Sequence, residues 1–403
     1  MKTLRKITIS FILASLVATM LVSCKKDDNA NPAVNYIRVT KPSASDSLLT
    51  SAYLGDLIVI MGNDMGSIRE LWFNDQKANL NPAYVTSTSI IVNVPSTIPG
   101  AVSDTMKMVF ADKSVLRYPF KINVPSPVID DMVCEYVADG GNAVLEGNYF
   151  IDDPKTKLQV LFPGDIAGEI VSFTLKQLVV KVPAGVVPGP VKVKSVYGSA
   201  TSRFYFRDNR NMILNFDDLT ADWGWRSGDV SSTLVPKLTG NYVTFTGKAV
   251  GNDFPWNEDG VSFNLWGSAN GRPNVPFYSG DIDKAAIKFE IWVVEPWKAY
   301  AMQMIFTPWS DKGNNDYIAT TAAQFPRGLW RPWEKTGSYQ TEGWTTVSIP
   351  LSTFIYKNDG TKCDVPLTNS FLGGLTFDLY AGGVKGQDCK LSMAIDNIRI
   401  VPL

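Results

Sequence analysis

Gly55-Asp56-Leu57-Ile58-Val59-Ile60-Met61-Gly62-Asn63, followed by Ile90-Ile91-Val92-Asn93-Val94-Pro95, returns later in the chain in altered form. Its second copy is Gly141-Asn142-Ala143-Val144-Leu145-Glu146-Gly147-Asn148 with Leu178-Val179-Val180-Lys181-Val182-Pro183. The offset of about 85 residues is the size of one small domain, so two copies of one unit are the simplest account. In each copy the β-branched run closed by proline reads as a strand, and Pro99-Gly100 or Pro188-Gly189 marks the next turn. No stretch keeps a helical period. Several short strands in so few residues predict a small β-sandwich.

The order of strand, Gly-Asn, "V.VP" strand and Pro-Gly turn resembles the IPT/TIG immunoglobulin-like domain. That resemblance implies copies over 34–124 and 126–208, with Trp72 in the core of the first. Between them Val124-Pro125-Ser126-Pro127 is too short and proline-rich to be a floppy linker. A stalk of stacked domains is expected.

The N-terminus has a basic start, Lys2, Arg5 and Lys6, then an uncharged run from Ile7 to Val22, as a secretory signal does. The run is short for a stable membrane span. It ends in Leu21-Val22-Ser23-Cys24, which resembles the lipobox of bacterial lipoproteins. Residues 1–23 are therefore expected to be a signal peptide, Cys24 the lipidated residue, and 24–33 a tether. Lys25-Lys26-Asp27-Asp28-Asn29 resembles the charged export tag of lipoproteins displayed on the outer face of the outer membrane.

Composition excludes several partners. Basic and acidic residues number 38 and 39, without a basic block beyond the signal, so nucleic acid is a poor candidate. The sequence contains no histidine, which rules out Ser-His-Asp and Cys-His catalysis and histidine-ligated metals. No cofactor is expected. Of the four cysteines, Cys363 and Cys389 are the one pair within a single expected domain, where export would permit a disulfide.

The remaining segment, 210–403, carries ten of the eleven tryptophans. Ala286 to Val294 alternates, with Ile287, Phe289, Ile291 and Val293 on one face and Lys288, Glu290, Trp292 and Val294 on the other. Further strands are expected over 302–306, 345–349, 375–379 and 393–401. The fold class expected for the whole chain is all-β: two Ig-like sandwiches and then a larger jelly-roll sandwich.

An indole offers a rigid flat surface that covers the C–H face of a β-linked sugar, leaving hydroxyls for amides, carboxylates and arginines. Trp330 and Trp333 in Gly328-Leu329-Trp330-Arg331-Pro332-Trp333 fit that chemistry, with Arg331 and Glu334 beside them. Trp256, Trp292, Trp297 and Trp309 are the other candidates for a glycan platform. For each, the competing reading is an aromatic plug at a sandwich edge.

"AIKFE" at 286–290, "WRPW" at 330–333, "GSYQTEGWTTVSIPLSTF" at 337–354 and the closing "AIDNIRI" together resemble the C-terminal domain of B-type surface glycan-binding proteins of Bacteroidetes-type polysaccharide-utilisation systems. The resemblance implies a non-catalytic, lipid-anchored protein on the cell exterior. It implies capture of a β-glucan such as xyloglucan or mixed-linkage glucan beside a TonB-dependent transporter and a companion glycan-binding lipoprotein. A β-mannan binder, an adhesin for host glycoprotein and a glycoside hydrolase are the alternatives. A hydrolase would need two carboxyls across a cleft, with Glu290, Glu295, Glu334 and Asp316 as candidates. Asn215, Asp217, Asp396 and Asn397 could meet on adjacent strands around a structural calcium ion, or merely hydrogen-bond.

Overall fold

The computed structural model describes residues 31–220, 230–251, 276–308 and 325–403, and the backbone of 262–266. Among these residues the chain is strand and loop with short 3-10 turns and no α-helix. It divides into two compact units, one ending at Val124 and one running from Pro125 to Leu403.

In the first unit a three-stranded sheet (Ala33–Val39, Leu57–Asn63, Ser89–Asn93) accompanies a four-stranded sheet (Gln76–Lys77, Ile68–Phe73, Thr105–Phe110, Val115–Pro119). Alternation explains the core. Met106, Met108 and Phe110 point inward from Thr105–Phe110, and Leu71 and Phe73 from Ile68–Phe73. The same alternation turns Trp72 outward, against the expectation of a core tryptophan. Its indole N–H donates to Glu70 at 2.9 Å, and Lys107 lies 4.7 Å from the ring centroid.

The internal repeat has a physical cause. Leu57–Asn63 pairs with Ser89–Asn93, and Asn142–Asn148 with Gln177–Lys181, in the same register. Each strand also pairs with the strand that opens its copy. A Cβ on Gly62 would lie 2.1 Å from the Ala33 carbonyl oxygen, and one on Gly147 only 1.9 Å from that of Val128. Both repeat glycines permit the same close backbone approach.

The second unit begins with a seven-stranded sheet around its own core, including Leu145, Phe162, Val180, Val193 and Phe206. The strand Ile166–Phe173 pairs with Gln159–Phe162 through its first half and with Gln177–Lys181 through its second, and so turns the corner of a sandwich. The second sandwich follows. Its larger sheet orders Val230–Ser231, Tyr242–Ala249, Cys389–Pro402, Ala285–Val293 and Thr345–Pro350, with Met212–Leu214 also on Cys389–Pro402. Its smaller sheet orders Ser262–Trp266, Gly374–Tyr380, Ala301–Thr307 and Arg327–Trp330. Phe289, Ile291, Met302, Met304, Phe377 and Ile395 fill the space between them.

The alternation of Ala285–Val293 holds, but its polar face is not solvated. Glu290 is fully buried and Lys288 nearly so, because the segment Val133–Val137 of the preceding sandwich packs on that face. Glu135 accepts from Lys288 Nζ at 2.5 Å and from Arg399 Nη2 at 2.6 Å. Arg399 in turn spans both oxygens of Glu290 at 2.9 and 3.0 Å. Backbone bonds complete the junction: Thr346 N–H donates to Val133 O, and Glu135 N–H to Thr346 Oγ1, each at 2.8 Å.

No disulfide joins Cys134, Cys363 or Cys389, so the Cys363–Cys389 bond considered from sequence is absent. Among the described residues no helix is long and apolar enough to cross a membrane.

Candidate functional site

The structure separates the candidate tryptophans. Trp297 is wholly buried, and its indole N–H donates to the Ala299 carbonyl. Trp333 is 4% exposed and donates to Tyr300 O at 2.8 Å. Both are core plugs, which corrects the expectation of exposed platforms. An indole at the end of a sandwich closes the core and finds an acceptor for its one polar atom. Trp330 is half-buried, edge-on to Phe289, Trp297 and Tyr339 at centroid distances of 5.7, 5.5 and 5.6 Å.

Trp292 lies on the larger sheet's outer face, 6.3 Å from Trp344, in an apolar cluster with Cys134, Tyr136 and Tyr242. It therefore belongs to the junction with the preceding sandwich. Trp256, Trp309 and Asp316 lie outside the described residues. Arg331 donates to the Gly382 carbonyl and to Glu334 Oε2, the latter at 3.1 Å. Of the carboxylates weighed for hydrolysis, Glu290 is locked in the Arg399 pair and Glu295 pairs with Lys390 at 3.1 Å.

Of the four residues considered for calcium, Asp217 is near enough to Asp396 for its charge to act on that carboxyl. Asn215 Oδ1 accepts the Asp217 and Leu219 N–H groups, and Asp396 Oδ1 accepts that of Asn397. Among the described residues no three His, Cys, Asp or Glu side chains group as a metal site.

A different set of polar side chains occupies the outer face of the smaller sheet. Register aligns them in rows. Asp378, Gln303 and Leu329 face one another across three strands, with Ser262 opposite Asp378. Thr376, Ile305 and Arg327 form the next row, with Asn264 opposite Thr376, and Thr307 stands opposite Gly374, which pairs with Trp266. Gln303 and Arg327 are fully buried, and Thr307, Thr376 and Asp378 nearly so.

Their hydrogen bonding is incomplete. Arg327 Nη1 donates to Gln303 Oε1 at 2.7 Å, and Gln303 Nε2 to Asn358 O at 3.1 Å. Asp378 Oδ2 and Thr307 Oγ1 have no partner. Burial pushes the Asp378 carboxyl up to about 7, against the opposing pull of Arg327. A buried polar row with spare donors and acceptors is suited to a ligand rich in hydroxyls.

Burial is less complete at one end of this face. Leu329, Tyr380 and Arg331 are half-buried there. Gly360, Gly382 and Gly383, all at positive φ, line the rim, and a Cβ on Gly383 would lie 2.2 Å from the Asp359 carbonyl oxygen. The rim is thus backbone pressed on backbone, which only glycine allows. Gln303 and Asp378 escaped the sequence reading. Their signal was a pair of polar residues on one face of a largely apolar strand, Gln303 and Thr307 in AMQMIFT and Thr376 and Asp378 in GLTFDLY.

Residues 206–402 match the family model described as the surface glycan-binding protein B xyloglucan binding domain. An IPT/TIG domain-containing protein from Bacteroides ovatus is 23% identical over 97% of each chain. The solved structure of surface glycan-binding protein PbSGBP-B from Prevotella bryantii is 27% identical, covers 92% of this chain and 99% of its own, and superposes with a TM-score of 0.78. That family and the Prevotella bryantii protein are glycan-binding and not enzymes, and residues 206–402 of this chain match the C-terminal domain of the B-type surface glycan-binding proteins.

Proposed function

We propose that this chain captures a neutral β-glucan, of the xyloglucan or mixed-linkage kind, at the less buried end of the smaller sheet's outer face. The observation that carries this reading is the pair of unpartnered buried groups, Asp378 Oδ2 and Thr307 Oγ1, inside the family-matched segment. Sugar hydroxyls satisfy such groups by charge-assisted and neutral hydrogen bonds. Arg331 and Glu334 follow the strand at that end, Trp330 lies at the same strand end but on the inner side against the core, and Trp256 and Trp309 lie in the segments that lead into Ser262–Trp266 and out of Ala301–Thr307. Trp256 and Trp309, with the uncovered edge of Trp330, are the aromatic stacking surfaces in this reading, Arg331 and Glu334 are polar neighbours, and Trp297 and Trp333 take no part.

In the same proposal residues 34–124 and 126–208 are Ig-like domains, 210–403 binds glycan, and Cys24 carries the lipid that holds the protein on the outer membrane, facing outward. The captured chain passes to a TonB-dependent transporter, with a companion glycan-binding lipoprotein alongside. Affinity electrophoresis of the full chain in xyloglucan, mixed-linkage glucan and β-mannan gels tests the reading. Retardation by a glucan, lost on Asp378→Ala, is expected. Free migration in every gel would sink it, and retardation by mannan alone would move the specificity. Protease access on intact cells, with Cys24→Ala as control, tests the address.

A further inference from the structure

Charge on the outer face of the larger sheet balances only when the preceding sandwich is counted. Lys288 and Arg399 are buried cations, while Glu290 is the carboxylate that the sheet sets against Arg399. Asp396, on the same face, is pushed up to about 8 by burial and so is largely uncharged at neutral pH. The missing negative charge is Glu135, wholly buried and shared between Lys288 and Arg399. Asp131, at the exposed rim, adds only a weak field at Lys288.

This clamp closes on the residue that touches the glycan site. Lys288 and Glu290 flank Phe289, and the pairing of this strand with Cys389–Pro402 shifts register between those two residues. Phe289 points the other way, into the core. Its ring meets Trp330 edge-on at 5.7 Å and Phe377, the chain neighbour of Asp378, at 5.4 Å. The extra residue of this bulge lies in Cys389–Pro402, between Asp396 and Arg399 and opposite Phe289, where Asn397 has a positive φ. The bulge re-aims Arg399, and the charges that hold Lys288, Glu290 and Arg399 brace the strand on both sides of the ring that meets Trp330.

We propose that Glu135 is a positioning residue for the glycan site, so that the sandwich carrying it is a working part of the binding unit and not a spacer. The chain of action runs from Glu135 through Lys288, Arg399 and Glu290 to Phe289, and from there to Trp330 and the Gly374–Tyr380 strand. It rests on the sugar-binding reading above for its functional consequence but not for its structural one.

The test uses the full chain in three forms: wild type, Glu135→Ala, and Glu135→Ala with Lys288→Met, which leaves the Arg399–Glu290 pair balanced. Hydrogen exchange over 327–330 and 374–380, and retardation in xyloglucan gels, are read well below the melting of every variant. Glu135→Ala is expected to speed exchange in both strands and weaken retardation about three- to tenfold, the range for mutations that act through packed networks. The double variant should recover most of both. Glu135→Gln replaces Ala if the latter does not fold. Lowered melting with unchanged exchange at 327–330 would overturn the proposal, as would a double variant no better than the single. If wild type ignores xyloglucan, the sugar reading fails while the exchange data still decide the positioning role.

Discussion

The Trp333 indole N–H donates to the Tyr300 carbonyl at 2.8 Å, and the ring is 4% exposed. That bond makes Trp333 a plug, with a measurable signature. Trp333→Ala should cost about 3–5 kcal/mol of folding stability. Trp333→Phe keeps most of the packing but leaves the carbonyl without its donor, a loss of about 1–3 kcal/mol. Thermal melting checks both, with glycan titration on the same samples. Unchanged melting with lost binding would restore Trp333 to the platform.

The repeat glycines make a second prediction, independent of function. Gly62→Ala and Gly147→Ala each drive a methyl group into a backbone oxygen that cannot rotate away. Each should cost about 1–3 kcal/mol or more, as overpacked sites do. Gly66→Ala is the control, since its nearest neighbour would be Ser87 Cα at 3.8 Å. Equal melting of all three variants would contradict the close-approach account of the repeat.

What sequence could show follows from the distance over which each feature is determined. The strand Ala285–Val293 was legible because alternation is local, and the repeat because Gly62 and Gly147 answer to the same strand pairing. Whether a tryptophan stacks or plugs depends on which end of a sandwich closes over it, so Trp297 and Trp330 look alike in sequence and differ in burial. Glu135 was illegible because its partners lie 153 and 264 residues away. Asp378 and Gln303 could have been found by asking why largely apolar strands carry polar residues on one face, Thr376 with Asp378 and Gln303 with Thr307.

The junction makes the third prediction. Cut at residue 210, the glycan-binding sandwich would lose Glu135 from Lys288 and Arg399 and expose Tyr242, Trp292 and Trp344, which pack with Cys134 and Tyr136. Water resolvates the freed charges, so the apolar cluster dominates the loss, at about 1.5–3 kcal/mol per large side chain uncovered. Calorimetric melting of 210–403 against 125–403 is the check. The longer fragment should melt distinctly higher, and coincident transitions would mean that the two sandwiches are merely adjacent.

Asp378 sets function against stability, and pH exposes the conflict. Its folded-state carboxyl is pushed up to about 7. The unfolded chain releases that proton near a pKa of about 3.9. Between those values the folded state holds the extra proton, so stability falls as pH rises through this window and levels off above it. Asp378→Asn removes the titration while nearly keeping the shape. The variant should therefore melt higher than wild type at pH 8, with a smaller difference at pH 5, and its melting should depend less on pH across the interval. Its glycan affinity should fall, because an amide cannot replace an ionised carboxylate as the acceptor for two sugar hydroxyls. A variant that is both more stable and weaker in binding is the mark of a side chain kept unpaired for a ligand. If Asp378→Asn melts lower than wild type at pH 8, the carboxylate is a structural group with a partner in solution, and its place in the glycan site is lost.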